Sequence, residues 1–185
     1  DKKSKYIMAS KLTTQLKNNL RVIPNFPKKG IMFQDIFSLI ENPPLLKIIV
    51  NEIKKVVIKE KITKIVGIDA RGFIFGSIVS YSSNISFIPI RKKGKLPGDV
   101  YKKKYKLEYG FDQVEIQKNS ILKNDKVLII DDLIATGGTA TAAAKLVENM
   151  SMKKISFMFV IDLFNLNGAN ILKKKGYKVF SIIEA

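Results

Sequence analysis

The sequence predicts an α/β fold, a roughly five-stranded parallel sheet flanked by helices, with an N-terminal lid and a hairpin over a ligand site. Three observations carry this. Short apolar runs alternate with segments of helical periodicity at the spacing of βαβ units. The run Val127-Leu128-Ile129-Ile130 is apolar at every position, which suits a strand buried on both faces. Behind it come Asp131-Asp132, a turn of small and hydroxyl residues, and a helix marked by Ala142, Ala143, Leu146, Val147 and Met150. The two carboxylates then stand at the carboxyl end of a strand, where open α/β sheets place their ligands.

In chain order, Leu12, Leu16 and Leu20 mark an amphipathic helix over 11–22, which stops before Pro24. Residues Asn25 to Ile36 are interrupted by proline and glycine and rich in bulky apolar groups. They form either an irregular segment packed on the core or a hydrophobic lid whose Phe33 stacks on a flat ring. Pro43 and Pro44 suit a helix start, and a stripe from Leu45 to Val57 carries that helix to about residue 60. Lys64–Ile68 is a short buried strand, followed by Asp69-Ala70-Arg71-Gly72 and an apolar helix over Phe73–Tyr81. This second strand–loop–helix unit brings Arg71 to the same sheet edge as the acidic pair.

Ser86–Ile90 is a third strand, where Pro89 indicates an edge, a bulge or a strand end. The basic run Arg91 to Gly98 is a solvated loop or a phosphate clamp. Tyr105–Gly110 and Val114–Gln117 read as a hairpin. Ile155–Ile161 is a strand, 165–175 a helix closed by Gly176, and Lys178–Ile183 the last strand. There is no internal repeat, low-complexity block or linker. Residues 1–185 therefore read as one domain, with a hood at about 20–40 and a flexible loop and hairpin at about 92–118.

Composition narrows the chemistry. With 185 residues the chain buries roughly 70% of its unfolded surface without staples. It has no cysteine, so a thiol nucleophile and a Cys-type metal site are excluded; this fits a reducing compartment. It has no histidine either, which removes the commonest general base. No apolar run approaches the roughly 18 residues of a membrane span. No signal-type apolar stretch follows Asp1-Lys2-Lys3-Ser4-Lys5, so the expected location is cytoplasmic. The net charge of +17 raises the alternative of a nucleic-acid binder. Only Arg21, Arg71 and Arg91 are arginine, however, among 33 basic residues. Scattered lysines lack the forked donors that read bases, so no nucleic acid is expected as a partner.

The central turn has its own logic. Gly137 and Gly138 let backbone approach a ligand closely, and the amides at a helix start face an anion. Thr136 and Thr139 add hydroxyl donors. A carboxylate repels phosphate but accepts well from sugar hydroxyls, so the ligand read from the site is a sugar phosphate. The bland alternative is that the acids cap the turn and the glycines bend it.

Asp131-Asp132, Ala135-Thr136-Gly137-Gly138-Thr139 and the apolar strand before them resemble the 5-phosphoribosyl-1-diphosphate (PRPP) motif of the type I phosphoribosyltransferases. Phe26-Pro27 through Ile36, Asp69 to Phe73, Arg91 to Gly98, and Leu107-Glu108-Tyr109-Gly110 with Val114 to Gln117 are similar to the adenine branch of that family. The resemblance runs from about residue 20 to the end. It implies the type I fold and the reaction adenine + PRPP → AMP + pyrophosphate, in a homodimer, with no membrane partner. It also implies Mg2+ carried on PRPP's own oxygens, with no dedicated protein ligands. Position by position, Ala135, Thr136, Gly137, Gly138 and Thr139 would hold the 5′-phosphate, and Asp131 and Asp132 the ribose hydroxyls. Asp69, Ala70, Arg71 and Gly72 would form a pyrophosphate loop with a non-proline cis peptide. Arg91 and Lys95 belong to the basic segment, Lys95 in the mobile loop that closes over pyrophosphate. Met32, Phe33 and Gln34 would line the adenine pocket, Gln34 standing where many members carry arginine.

Displacing pyrophosphate from an anomeric carbon builds positive charge on the ribose and negative charge on the leaving group. Arg71, loop amides, Lys95 and Mg2+ are the available donors. Adenine must also lose a proton as N9 attacks. Without histidine a carboxylate near the base is the best relay, and Glu108 is the candidate. Two alternatives stay open at this point: a non-enzyme that senses PRPP as an effector, and the same transfer to hypoxanthine or guanine.

Overall fold

The computed structural model describes residues 2–106, 110–152 and 155–185, with side chains from residue 11 onward. In chain order α1 (Lys2–Asn19), β1 (Arg21–Pro24), β2 (Met32–Asp35), α2 (Phe37–Ile40) and α3 (Pro43–Glu60) come first. Then follow β3 (Lys64–Ile68), α4 (Arg71–Ser83), β4 (Ser86–Lys92), β5 (Val100–Lys106) and β6 (Phe111–Gln117). The chain closes with β7 (Val127–Ile134), α5 (Gly138–Glu148), β8 (Ile155–Asp162), a 3-10 turn (Phe164–Leu166), α6 (Gly168–Lys174) and β9 (Lys178–Glu184). It falls into two compact units, Asp1–Glu52 and Ile53–Ala185.

In the first unit β1 and β2 pair antiparallel, from Arg21↔Asp35 to Pro24↔Met32. The helix expected over 11–22 therefore ends earlier, at Asn19, because Arg21–Pro24 is held extended as a strand. Pro24 restricts the residue before it to extended backbone, and Arg21 is drawn across the ladder. Its Nε and Nη2 both donate to Asp35 Oδ2, at 2.8 and 2.6 Å. Asp35 is buried and also accepts from the Phe37 amide through Oδ1. Of the stretch Asn25 to Ile36, read as an irregular segment or a lid, Asn25 to Ile31 is the irregular connection between the two strands and Met32–Asp35 is β2.

The second unit is a seven-stranded sheet of order β5-β6-β4-β3-β7-β8-β9. Five strands, β4-β3-β7-β8-β9, run parallel, and β6 joins β4 antiparallel as half of the β5–β6 hairpin. The parallel core has the size the sequence indicated. Val127–Ile130 is fully buried and so is every residue of β8, as helix cover on both faces requires. Four alanines of α5, Ala140 and Ala142–Ala144, are buried beside Leu146 and Val147 and let that helix lie close to the sheet.

From β3 the chain goes outward to β4, and β7 is laid on β3's other side. The order therefore reverses between β3 and β7, whose carboxyl ends flank the crevice where such sheets bind ligands. Pro89 is accommodated because β6 pairs β4 only at Arg91 and Lys92, leaving that edge open beside the proline.

Among the boundaries that differ from the sequence reading, three have a clear physical cause. β7 continues through the acidic pair to Ile134, because β8 keeps pairing with it to Asp162 while β3 stops at Gly67↔Ile130. β5 starts at Val100, hidden from periodicity by three exposed lysines at 102–104 that fall on both faces of the strand, while Tyr101 and Tyr105 pack on the core. α6 starts at Gly168 because Asn167 adopts left-handed backbone (φ +62°) and ends the 3-10 turn.

Candidate active site

Because β3 ends four residues short of β7, the last turn of β7 has an open flank, and the start of α4 fills it. The approach is close enough to demand glycine at position 72. A Cβ there would lie 2.6 Å from the Ile130 carbonyl oxygen and 3.1 Å from Asp131 Oδ1. With Gly72 against β7, its neighbour Arg71 reaches the acidic pair, placing Nε 2.6 Å from Asp132 Oδ2. Asp132 is 2% exposed, and this Oδ2 still accepts no aligned hydrogen bond among the described residues. The contact is a charge pairing with acceptor capacity to spare. The Asp132 amide donates to Asp131 Oδ1 at 2.8 Å.

Burial pushes the Asp131 carboxyl well above the ordinary carboxylate range, and the neighbouring acid Asp132 pushes it the same way. The Asp132 amide and the charge of Arg71 pull it back only in part. An acid whose pKa is raised by folding stabilises the fold least when ionised. Its cost is absent below the unfolded value of about 3.9 and grows as pH rises through the folded value. Asp131→Asn should therefore melt higher than wild type at neutral pH and lose that advantage toward about pH 4. The same variant should bind PRPP about tenfold or more weakly, through loss of charged acceptors. Melting curves across pH with PRPP titration check both, and a pH-independent melting difference would remove the titration of Asp131 from the account.

After the acids the chain turns through Ala135–Gly137, where Gly137 takes left-handed backbone (φ +85°). The first intrahelical bond of α5 runs from the Thr141 amide to the Gly137 carbonyl at 2.9 Å, so the amides of Gly138, Thr139 and Ala140 have no intrahelical acceptor. No side chain caps this helix start. The turn, the acidic pair and Arg71 line one cavity of about 620 Å3, which Tyr105, Lys106, Phe159 and Leu166 complete. The result is a cradle of free N–H groups at one end and carboxylates with an arginine at the other.

Other candidate residues gather elsewhere. Asp69 and Arg91 face each other, Nε to Oδ2 at 2.9 Å, and Arg91 Nη1 donates to the Lys95 carbonyl at 3.2 Å. The Asp69–Ala70 peptide is cis. These residues do not line the cavity described above. Met32, Phe33 and Gln34 are neighbours on β2, with Phe33 edge-on to Phe26 at 5.0 Å between ring centroids. Glu108 lies outside the described residues.

Gly168 escaped the sequence reading. It packs on the turn Ala135–Gly137, its amide donating to the Ala135 carbonyl at 3.0 Å. The Asn167-Gly168 pair is the available signal, which a helix spanning 165–175 obscures. Tyr105 and Lys106 were read only as hairpin residues.

The profile of the phosphoribosyl transferase domain matches residues 38–184. The chain belongs to that family. It is 50% identical over 169 residues to the adenine phosphoribosyltransferase of Pelagibacter ubique, covering 91% of this chain and 97% of that one. Among solved structures, the adenine phosphoribosyltransferase of Thermoanaerobacter pseudethanolicus superposes with a TM-score of 0.87 at 38% identity, covering 94% of this chain and 99% of that chain. The Saccharomyces cerevisiae adenine phosphoribosyltransferase, complexed with adenine and an imino-altritol bisphosphate, gives 0.85 at 39% with the same coverage. Within the family, then, this chain falls among the adenine phosphoribosyltransferases and is a transferase.

Proposed function

We propose that this chain moves the 5-phosphoribosyl group of PRPP onto N9 of adenine, releasing pyrophosphate and forming AMP. The observation that carries the reading is the single cavity holding Arg71, the two aspartates and the uncapped turn of α5. A 5′-phosphate suits the amides of Ala135–Thr139. The ribose diol suits the spare acceptors of Asp131 and Asp132. Pyrophosphate suits Arg71, the amides of Asp69–Gly72, and the basic segment with Arg91 and Lys95. Met32, Phe33 and Gln34 we assign to the base.

In the reaction the C1′–O bond to pyrophosphate breaks and the C1′–N9 bond forms. Arg71 moves from offsetting Asp132 toward offsetting the leaving group, where charge develops. The carboxylates stay near the ribose, whose positive character they favour. The N9 proton passes to Glu108. The donor set suits a substrate-borne Mg2+. Among the described residues no group of three acidic or other ligating side chains comes together, and Arg71 already sits on the acids. Bound with PRPP, Mg2+ would neutralise phosphate charge.

Among the described residues no helix is long and apolar enough to cross a membrane. We read the enzyme as cytoplasmic and homodimeric. Competition among adenine, hypoxanthine and guanine, followed by pyrophosphate release, tests the base assignment. Adenine should lead in kcat/KM by at least about tenfold, and equal use of another purine would overturn it.

A further inference from the structure

Glu115 sits on β6 directly across from Arg91 of β4, and it is 3% exposed. A carboxylate so buried costs stability unless its oxygens are bonded. Both are. Oε2 accepts from the Gly94 amide at 3.0 Å, and Oε1 from Gln113 Nε2 at 2.8 Å. Both donors are neutral N–H groups, in a chain with 33 basic residues to choose from. Glu115 thus holds a piece of backbone in place.

That backbone is the turn carrying Lys95. Gly94 takes φ +73°, the Lys95 amide donates to the Lys92 carbonyl at 3.2 Å, and the Lys93 amide donates to the Gln113 carbonyl at 3.2 Å. From the other side Arg91 Nη1 holds the Lys95 carbonyl while its Nε holds Asp69. The dipeptide Gly94-Lys95 is therefore pinned at its first amide by Glu115 and at its last carbonyl by Arg91. Through Arg91 it is tied to the loop Asp69–Gly72.

We infer that Glu115 is a positioning residue, which sets Lys95 and the Asp69–Gly72 loop in register with each other through Gly94 and Arg91 and so prepares the pyrophosphate half of the site. The inference rests on the proposed reading that Lys95 serves pyrophosphate. Glu115 does not line the cavity of Arg71 and the two aspartates. Its effect should fall on PRPP, which carries pyrophosphate, and spare AMP, which does not.

Reach and charge separate cleanly at this position. Glu115→Asp keeps the charge but is one methylene short of Gly94, whereas Glu115→Gln keeps the reach and an acceptor oxygen but loses the charge. PRPP with Mg2+, and AMP alone, are titrated by calorimetry into each variant and into Lys95→Ala. Glu115→Asp should weaken PRPP about tenfold, with AMP within about twofold of wild type, and Glu115→Gln should restore most of the PRPP affinity. Equal weakening of both ligands, loss of folding included, would mark Glu115 as merely structural and overturn the inference. So would unchanged PRPP affinity in Glu115→Asp, or a Gln variant as weak as the Asp one. If Lys95→Ala leaves PRPP binding intact, the underlying reading fails. If Lys95→Ala weakens PRPP and Glu115→Asp does not, the inference alone fails.

Discussion

Glu108→Gln should lower kcat by about 10²–10⁴, or roughly 3–5 kcal/mol of transition-state stabilisation, while AMP binding stays near wild type. The size follows from what the chain lacks. Without histidine or cysteine, a proton leaving N9 near neutral pH must go to a carboxylate, a lysine, a tyrosine or water. Asp131 and Asp132 are tied to each other and to Arg71 before the turn into α5. Glu108 stands two residues after Lys106, which lines the cavity. Glutamine keeps the shape and a hydrogen bond but accepts no proton. Single-turnover measurement isolates the chemical step, and an unchanged rate there would take Glu108 out of the mechanism.

The elements most legible in the sequence were those whose physics is local. A continuous apolar run announces a strand covered on both faces, and Val127–Ile130 and Ile155–Ile161 are such strands. Paired glycines after two acids announce a cradle, and the turn before α5 is one. What stayed hidden depends on which strand stops first. Nothing in Asp131 or Asp132 says that β8 extends β7 past them while β3 does not, yet that mismatch opens the flank through which Arg71 enters. The lysines of β5 hid a strand because Lys103, on the same face as Tyr101 and Tyr105, is exposed and breaks the alternation. Glu115 looked like a polar residue in an alternating strand. Only the fold places its carboxylate under Gly94.

The acidic pair shows how the site meets a conflict built into its own composition. Two adjacent carboxylates at the end of a buried strand repel each other, and burial raises the cost. Arg71 relieves part of it, and in the proposed reaction Arg71 is also the donor to the leaving group. On that reading ligand and acids compete for one guanidinium. As pyrophosphate draws Arg71 away, the diol must supply the hydrogen bonds that keep Asp132 satisfied, so the two halves of PRPP should bind cooperatively.

Gly168→Ala should weaken AMP and PRPP by about 10²-fold or more, with a stability loss of about 1–3 kcal/mol. A Cβ at this position would lie 2.3 Å from the Ala135 carbonyl oxygen, 2.8 Å from the Gly137 nitrogen and 2.9 Å from Ile134 Cγ1. Two of these neighbours are backbone of the turn proposed to hold phosphate, so relief has to move the amides themselves. Charge-assisted bonds from fixed amides are worth about 1.5–3 kcal/mol each, and displacing two of them accounts for the affinity loss. Gly176→Ala is the matched control. Gly176 has φ +88° and nothing within 4 Å of its would-be Cβ, so that substitution strains the end of α6 without touching the turn. It should cost stability alone, with AMP affinity unchanged. Calorimetric titration of AMP into the two variants, with their melting temperatures, decides the matter: equal AMP affinities in both would mean that the turn keeps its shape without help from the start of α6.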